Sequence, residues 1–457
     1  MGFGRRRGKK NFALQVEVEK DAEVVRLLER VGAAGKVDLE ACECALRPLA
    51  LAAGAKALGV LLEPVGKGRR DEEVVCECGT PMKSRGVCSK ELLTILGPVT
   101  YTRSRFQCLS CGATRFPGDE ELDIVGTTRS PGLRRMMARA GSRTTFKEAS
   151  GDLAVYAGLR VSPKDVERVA EGIGEDLETW SAGERKACLR EDRPIPLKKT
   201  IPVFYNAYDG TGVPMTRQEV AGRKGKQADG SAKTREAKQG CVFTQTATNT
   251  EGLPLRDPDS TSFVGQIESA EQFGWRIYAE AVRRGLEAAQ EVVILGDGAE
   301  WIRGIAEMHF HGATQIVDLY HAREHVSNLC KLLFAPNEKQ IERQRLRWWK
   351  HLDDGAVEKI RREAAKHLPQ EASRLKAAQK ELAYLDKNKE RMRYSQFRAR
   401  GYFVGSGVIE AGCKSIVGLR LKRSGMEWSL RGANSILSLR CATLSNILED
   451  YWESRAA

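Results

Sequence analysis

The sequence predicts an α/β domain, interrupted by an all-helical block and preceded by a small cysteine-bound module and a helical region. Three observations predict it. From Ile201 onward, short apolar runs alternate with amphipathic stretches of helical period, the pattern of strands and helices in turn. Four cysteines fall into two close pairs, Cys76/Cys78 and Cys108/Cys111, with 29 residues between the pairs. Residues 331–400 read as helix almost throughout, and carry 19 Lys or Arg against 10 Asp or Glu.

At 457 residues the chain has room for several folding units. Its 74 Lys and Arg against 61 Asp and Glu leave a net charge of +13, which points to a polyanionic partner. With 41% hydrophobic and 30% charged residues, the composition excludes a chain disordered throughout and one embedded in a membrane. The basic opening (Arg5, Arg6, Arg7) is not followed by the apolar core of a signal peptide, so a cytoplasmic protein is expected. The longest apolar stretch, Ala45 to Leu62, is broken by Arg47, Pro48 and Lys56, and is expected as a buried helix pair rather than a membrane span.

Residues 1–70 read as a basic tail (Arg5, Arg6, Arg7, Lys9, Lys10) followed by helix, with Asp38 as a cap for Leu39 to Leu46. In residues 71–125, each cysteine pair is followed by a glycine that opens a tight turn. Two such turns can bring four thiolates to the corners of a tetrahedron around one structural zinc ion, with no position left for a substrate. Between them, Leu92 to Ile95, Gly97-Pro98 and Val99 to Phe106 read as strand, turn, strand, the core of a zinc ribbon. The first pair is one residue shorter than usual, and Cys88 is close enough in sequence to replace a ligand. An oxidised framework is not expected of twelve cysteines in a long chain without an export signal.

Residues 126–200 read as helices. One opens at Ser130-Pro131-Gly132; another runs from Thr145-Phe146-Lys147-Glu148 to Tyr156, breaks at Gly158, and is followed by a third from Ser162-Pro163. Two short helices around a glycine turn resemble a helix-turn-helix that reads DNA; the same pattern also describes helices packed on their neighbours.

In residues 201–330, Ile201 to Tyr208 is expected as a strand ending in Asp209-Gly210-Thr211-Gly212, and Gly240 to Thr248 as a second. A helix is expected over Ser269 to Ala289, then a buried strand, Val292 to Leu295, ending in Gly296-Asp297-Gly298. The strand Thr314 to Val317 ends in Asp318-Leu319-Tyr320-His321 at the head of a helix. Three strands each deliver an Asp to the edge where ligands bind in an open α/β sheet. Carboxylates from separate elements can hold a pair of hard divalent cations, and Glu410, in Gly405-Ser406-Gly407-Val408-Ile409-Glu410, is the best candidate for a third. Taken singly, Asp209 and Asp297 also read as turn or capping residues and Glu410 as a surface glutamate. Residues 225–234 imitate a phosphate loop but lack its Gly-Lys-Ser/Thr and its strand–helix setting, so no nucleotide cofactor is expected. His321 and His325 lie one helical turn apart without a third zinc ligand. His321 is placed at the edge of the acids, with a buried structural role as the alternative.

The segments Asp209-Gly210-Thr211-Gly212-Val213-Pro214-Met215, Lys224 to Gly230, Gly240-Cys241-Val242-Phe243-Thr244-Gln245, Gly296-Asp297-Gly298-Ala299-Glu300-Trp301 and Gly405 to Glu410 resemble the ISKra-type insertion-sequence transposases of bacteria. The resemblance runs from about residue 74 to 453. It implies a DDE-group enzyme with an RNase H-like domain, a mixed sheet flanked by helices, related to the Mutator-like transposases. It further implies that Asp209, Asp297 and Glu410 are the catalytic acids holding two Mg²⁺ or Mn²⁺ ions, that Asp318-Leu319-Tyr320-His321 is the Asp-x-x-His signature of Mutator-like relatives, and that a Cys-x-Cys-Gly start is usual for the family. Residues 331–400 then correspond to a helical insertion that touches DNA, and 401–457 to the C-terminal helices carrying the third acid.

Arg345, Arg347, Trp348, Trp349 and Lys350 interleave cations with aromatics, as an element would that holds phosphates and stacks on an unpaired base; the tryptophans equally suit a core. Lys414, Arg420, Lys422 and Arg423 could bring cations beside a scissile phosphate, or form a solvated basic face. The last helix, with Leu437, Cys441, Leu444 and Leu448 in step, is expected to pack. The expected function is cleavage of element ends and joining of the 3′-hydroxyls to target DNA, in the bacterial nucleoid, by a dimer or larger assembly. A non-catalytic or domesticated DNA-binding protein and a metal-dependent nuclease without joining are the alternatives.

Overall fold

Two compact units divide the chain, one ending at Ala170 and the other beginning at Glu171, in a computed structural model that describes residues 25–26, 38–67, 73–190, 200–225 and 227–456. The basic tail, residues 5–10, lies outside the described residues. In the first unit, α1 (Leu39–Lys67) is a single helix through Pro48, not a pair, and only Ala45, Ala55 and Gly66 of it are buried. By length and composition alone it could cross a membrane. Gly66 lets it close onto the next hairpin: a Cβ there would collide with the Thr102 carbonyl. That hairpin joins β1 (Met82–Thr94) and β2 (Gly97–Cys108), and β3 (Thr114–Arg115) extends it. The first strand is longer than expected from Leu92–Ile95, because the bulge between Ser84 and Val87 lets the pairing continue to Met82 opposite Cys108.

A short turn, α2 (Pro117–Glu121), brings Asp119 beneath the hairpin to accept from Lys90 Nζ at 2.8 Å. Then come α3 (Pro131–Arg143), α4 (Phe146–Ala157) and α5 (Pro163–Leu189). Their starts follow the local chemistry of the sequence. Ser130 caps α3, Thr145 and Glu148 form a reciprocal capping box on α4, and Gly158 ends α4 at φ 71°. Leu133, Met137, Ala149, Leu153, Leu159, Val161 and Val166 make their common core. The boundary between the units falls within α5.

The second unit is built on a five-stranded mixed sheet. Its elements in order are β4 (Ile201–Pro214), α6 (Arg217–Val220), β5 (Thr234–Gln245), a small ladder of β6 (Ala247–Thr248) with β7 (Pro254–Leu255), β8 (Ser262–Gln266), α7 (Ala270–Arg283), β9 (Ala289–Gly296), α8 (Glu300–His309) and β10 (Thr314–Val317). The strand order is β10–β9–β4–β5–β8, with β4, β9 and β10 parallel and β5 antiparallel to both its neighbours. The helix expected over 269–289 stops at Arg283, and Gly285 at φ 97° turns the chain so that β9 begins at Ala289. Strand β4 also departs from expectation: it does not end at Tyr208 but stays paired with β5 to Pro214. Gly210 and Gly212 are close-approach residues, since a Cβ on the first would run into Glu236 and on the second into Thr234 Oγ1 at 2.9 Å.

After β10 come α9 (Leu319–Phe334), α10 (Glu338–Asp353), α11 (Val357–Ala364), α12 (Ala372–Asn388) and α13 (Tyr394–Ala399). The chain returns through α14 (Gly407–Cys413), a π turn over Lys414–Gly418 and a short turn over Leu419–Leu421. It finishes with α15 (Leu430–Leu444) and α16 (Leu448–Ala456). Side chains alternate across each strand. Tyr205, Ala207, Val293 and Leu295 face a core shared with α9 to α14, whereas Phe204, Tyr208, Val242 and Ile294 face α7 and α8.

Candidate active site and metal-binding residues

Register places the acids. Ala207 lies opposite Leu295 and Val317 opposite Gly296, so continuing these parallel pairings puts Asp209, on β4, level with Asp297 and Asp318, each one residue past the end of its strand. By the alternation of the strands, Asp209 and Asp297 share the face that carries α9 and α14. Burial raises the Asp209 carboxyl above the usual range and the charge of Asp297 adds to this, while the Cys413 thiol, the Gly210 N–H and His321 act in the opposite sense. Cys413 is on the same short helix as Glu410, so its contact with Asp209 brings that helix to the acids.

Asp297 accepts from the Ala299 N–H at 2.9 Å, and its own carbonyl accepts from Tyr384 Oη at 2.7 Å. Gly298 adopts φ 86°, which L side chains rarely take, and a Cβ there would come within 3.0 Å of Tyr384 Oη. Thus α12, part of the helical block, buttresses the Asp297 loop. Sequence reasoning missed Tyr384; its position on a helix 87 residues away carries no local signal.

Asp318 is completely buried. Its Oδ1 accepts from the His321 N–H at 2.9 Å and faces His321 Nδ1 at 3.1 Å, while its Oδ2 accepts from the Ser406 N–H. Against burial, the His321 ring first, and then the His321 and Ser406 N–H groups, hold the Asp318 carboxyl below its usual range. Asp318, His321 and Glu410 come close enough together to suggest a metal set. Both Asp318 oxygens are already engaged, however, so this residue fits a positioning role better than a ligand's. His321 is pushed up to about 9, first by the Asp318 hydrogen bond and then, against burial, by the charges of Asp318, Asp297 and Asp209. His325 turns elsewhere, to Glu381 Oε2 at 2.5 Å and onto the Tyr384 ring. Glu410 accepts from Ser406 Oγ at 3.2 Å.

In the first unit, Cys76, Cys78, Cys108 and Cys111 form one cluster whose sulfurs all lie within 4.8 Å of one another. Cys76 and Cys111 are 3.5 Å apart, and Cys78 and Cys108 3.6 Å. Zinc–sulfur bonds of about 2.3 Å in a tetrahedron give sulfur separations of about 3.8 Å, so this donor set fits zinc. Each turn has a left-handed glycine, Gly79 at φ 81° and Gly112 at φ 76°. The Thr80 hydroxyl pulls the Cys78 thiol down to about 6, and the Cys111 N–H lowers Cys108. Cys88 is not in the cluster; it lies in mid-strand opposite Arg103.

The basic candidates divide. Trp348 is a correction: it is fully buried, donating from Nε1 to Glu363 Oε2 at 2.8 Å, so its ring is closed to a base. The spacing of Ile341, Trp348 and Leu352 makes a single apolar stripe on α10, a signal present in the sequence. Trp349 is half-buried, donates to the Arg323 carbonyl at 3.1 Å and lies under Arg323 and Arg345. Arg345 pairs with Glu342 and Arg347 with Glu363, each at 2.7 Å, and Lys350 is exposed. Arg420 is the second correction, being wholly buried with its guanidinium 4.9 Å from the centre of the Trp428 ring. Lys414, Lys422 and Arg423 are exposed, and Lys422 reaches Thr211, two residues beyond Asp209.

A family model described as an uncharacterised protein family (UPF0236) matches residues 266–454, a span that includes Asp297, His321 and Glu410 but neither Asp209 nor the cysteine cluster. No curated protein matches the chain. Among solved structures, the Drosophila P element transposase strand transfer complex is similar over 74% of this chain and 85% of that one, with 11% identity and a TM-score of 0.24. A likeness at that level carries no argument about this chain.

Proposed function

We propose that the chain is an insertion-sequence DNA transposase of ISKra type, which cleaves the ends of its element and joins the exposed 3′-hydroxyls to target DNA. The observation that carries this reading is that Asp209 on β4 stands level with Asp297 at the end of the adjacent parallel strand β9, with the helix of Glu410 held against Asp209 through Cys413. The sheet order supports it. Three antiparallel strands followed by two parallel ones, with the first strand central, is the arrangement expected of an RNase H-like domain.

The donor set suits Mg²⁺ or Mn²⁺, because three carboxylates from separate elements offer hard oxygens, and a dication would offset both the burial that chiefly raises Asp209 and the added charge of Asp297. Two such ions supply Lewis acidity to the attacking and leaving oxygens of an in-line displacement at phosphorus. Asp209, Asp297 and Glu410 would hold them. His321, raised first by its hydrogen bond to Asp318, would present a proton at the edge of the acids, with Asp318 fixing its ring through Nδ1. Tyr384 keeps the Asp297 loop in place. The four cysteines would hold a structural zinc ion, with α3 to α5, the exposed cations of the helical block and Lys414, Lys422 and Arg423 as DNA contacts. Bringing two element ends together calls for a dimer or larger assembly, acting in the bacterial nucleoid.

The test is incubation of the protein with labelled element-end DNA and Mg²⁺, the ends taken from inverted repeats flanking the gene. Cleaved and joined products are expected from the wild type and not from Asp209→Ala. Binding without cleavage in both would leave a DNA-binding protein, cleavage without joining a nuclease, and cleavage by Asp297→Asn would refute the assignment of the acids.

A further inference from the structure

We infer that the arm formed by the far ends of β4 and β5 and the loop between them is a second DNA-binding surface, which grips the phosphate backbone of a duplex next to the acids. The inference rests on the transposase reading for the identity of the polyanion. It takes up a segment whose glycines and lysines imitate a phosphate loop without the setting of one.

Three observations support it. Strand β9 leaves β4 at Ala207, but β4 and β5 continue as a pair to Pro214 and Thr234, so the arm extends beyond the shared sheet at the level of Asp209. Its backbone is ordered by further pairing. Met215 donates to the Lys233 carbonyl at 3.1 Å, Ala232 to Arg223 at 3.0 Å and Gly225 to Gly230 at 2.8 Å. Its base is fastened as well: Thr216 donates to the Trp428 carbonyl at 2.9 Å, and Trp428 to Pro214 at 3.1 Å. This joins the arm to the segment whose Lys422 touches Thr211.

The charge is concentrated there. Residues 215–235 carry six Lys or Arg against two Asp or Glu, although the chain outside its basic tail and helical block has no surplus. Both acids are occupied within the structure, Glu219 by the Leu430 N–H at 2.9 Å and Arg235 at 3.6 Å, and Asp229 by the Ser231 N–H at 2.9 Å. Arg217, Arg223, Lys224 and Lys233 are exposed and have no ion-pair partner among the described residues. Burial first, and then the nearby Arg223, hold the Arg235 guanidinium below its usual range, which marks cations crowded together. Exposed, like-charged cations on a connecting segment that the β4–β5 pair and its own backbone hydrogen bonds hold beside carboxylates suit a phosphate backbone, which positions a duplex without reading its sequence.

The experiment measures binding apart from catalysis. The full chain is titrated onto a labelled duplex in EDTA over roughly 50 to 200 mM salt, for the wild type, Arg223→Ala/Lys224→Ala, Arg217→Ala/Lys233→Ala, and Arg223→Lys. Each double variant is expected to lower the magnitude of the salt slope by about 2 and to weaken binding about 30-fold at physiological salt, with unchanged thermal unfolding and with Arg223→Lys close to wild type. Wild-type affinity and slope in both double variants would overturn the arm while leaving the transposase reading intact. Loss of cleavage in Asp209→Asn with normal binding tests that reading separately. A wild type that does not bind duplex DNA would overturn both.

Discussion

Asp318 accepts the backbone N–H of Ser406, a residue 88 positions away that opens the helix bearing Glu410. The other oxygen of the same carboxylate caps α9 and orients His321. One buried side chain therefore fixes both the His321 ring and the start of the helix that bears Glu410.

Asp318→Asn puts an amide where two N–H groups point at one carboxylate, so a donor must face a donor. Strand cleavage is expected to fall about 10- to 100-fold, the usual effect of losing a residue that orients metal-site ligands. Stability should drop by about 1–3 kcal/mol. Calorimetric titration of Mn²⁺ should show weaker binding, with duplex affinity in EDTA unchanged; undiminished Mn²⁺ binding would remove Asp318 from this role.

Tyr384→Phe deletes the hydrogen bond to the Asp297 carbonyl and little else. The expected cost is about 1 kcal/mol in unfolding, together with a several-fold drop in cleavage rate at unchanged DNA affinity. Full activity in this variant would show that the helical block does not support Asp297 through this contact.

The cysteine cluster predicts one zinc per chain by elemental analysis. Cys108→Ser should lose it and expose the β1–β2 hairpin to proteolysis, whereas Cys88→Ser should keep it. Retention of zinc by Cys108→Ser would refute the four-thiolate site.

Trp348→Ala should destabilise the second unit by about 3–5 kcal/mol, as expected for a buried tryptophan. Because the ring is enclosed, the folded variant should bind single-stranded DNA as wild type does at low temperature. A selective loss of that binding would restore the stacking role.

Glu178 accepts from Arg276 at 2.8 Å and from Arg185 at 2.7 Å, joining α5 to α7. Burial pushes its carboxyl up, but the two guanidiniums prevail and hold it below 4.5. A lowered folded value means stability that is present above the unfolded value and lost as pH falls through the folded one. At neutral pH, Glu178→Gln should cost about 2 kcal/mol, less than a fully buried pair because the site is partly screened by water. The gap between variant and wild type in thermal unfolding should close as pH drops below 4.5, and a constant gap would exclude the charge as its source.

What lies close in sequence was legible. The caps Ser130 and Thr145, the glycine stop at Gly158, the alternation of β9 and β10 with helices, and the two cysteine turns are all local chemistry. The candidates themselves could be named because they stand at strand ends or open a helix: Asp297 after β9, Asp318 after β10, Glu410 after a Gly-Ser turn.

The tertiary structure decided the rest, for a physical reason: strand register and helix orientation depend on contacts between distant residues, which no local pattern contains. Register brings Asp209 level with Asp297, and a contact of Cys413 with Asp209 brings the Cys413 helix to Asp209. The fold also separated cations that look alike in sequence, enclosing Arg420 with Trp428 while leaving Lys422 at Thr211. It let β4 run past Gly210 and Gly212, since pairing with β5 outweighs the turn propensity of those residues. The sequence thus determined which side chains could do chemistry, and the folded chain determined which of them lie near one another.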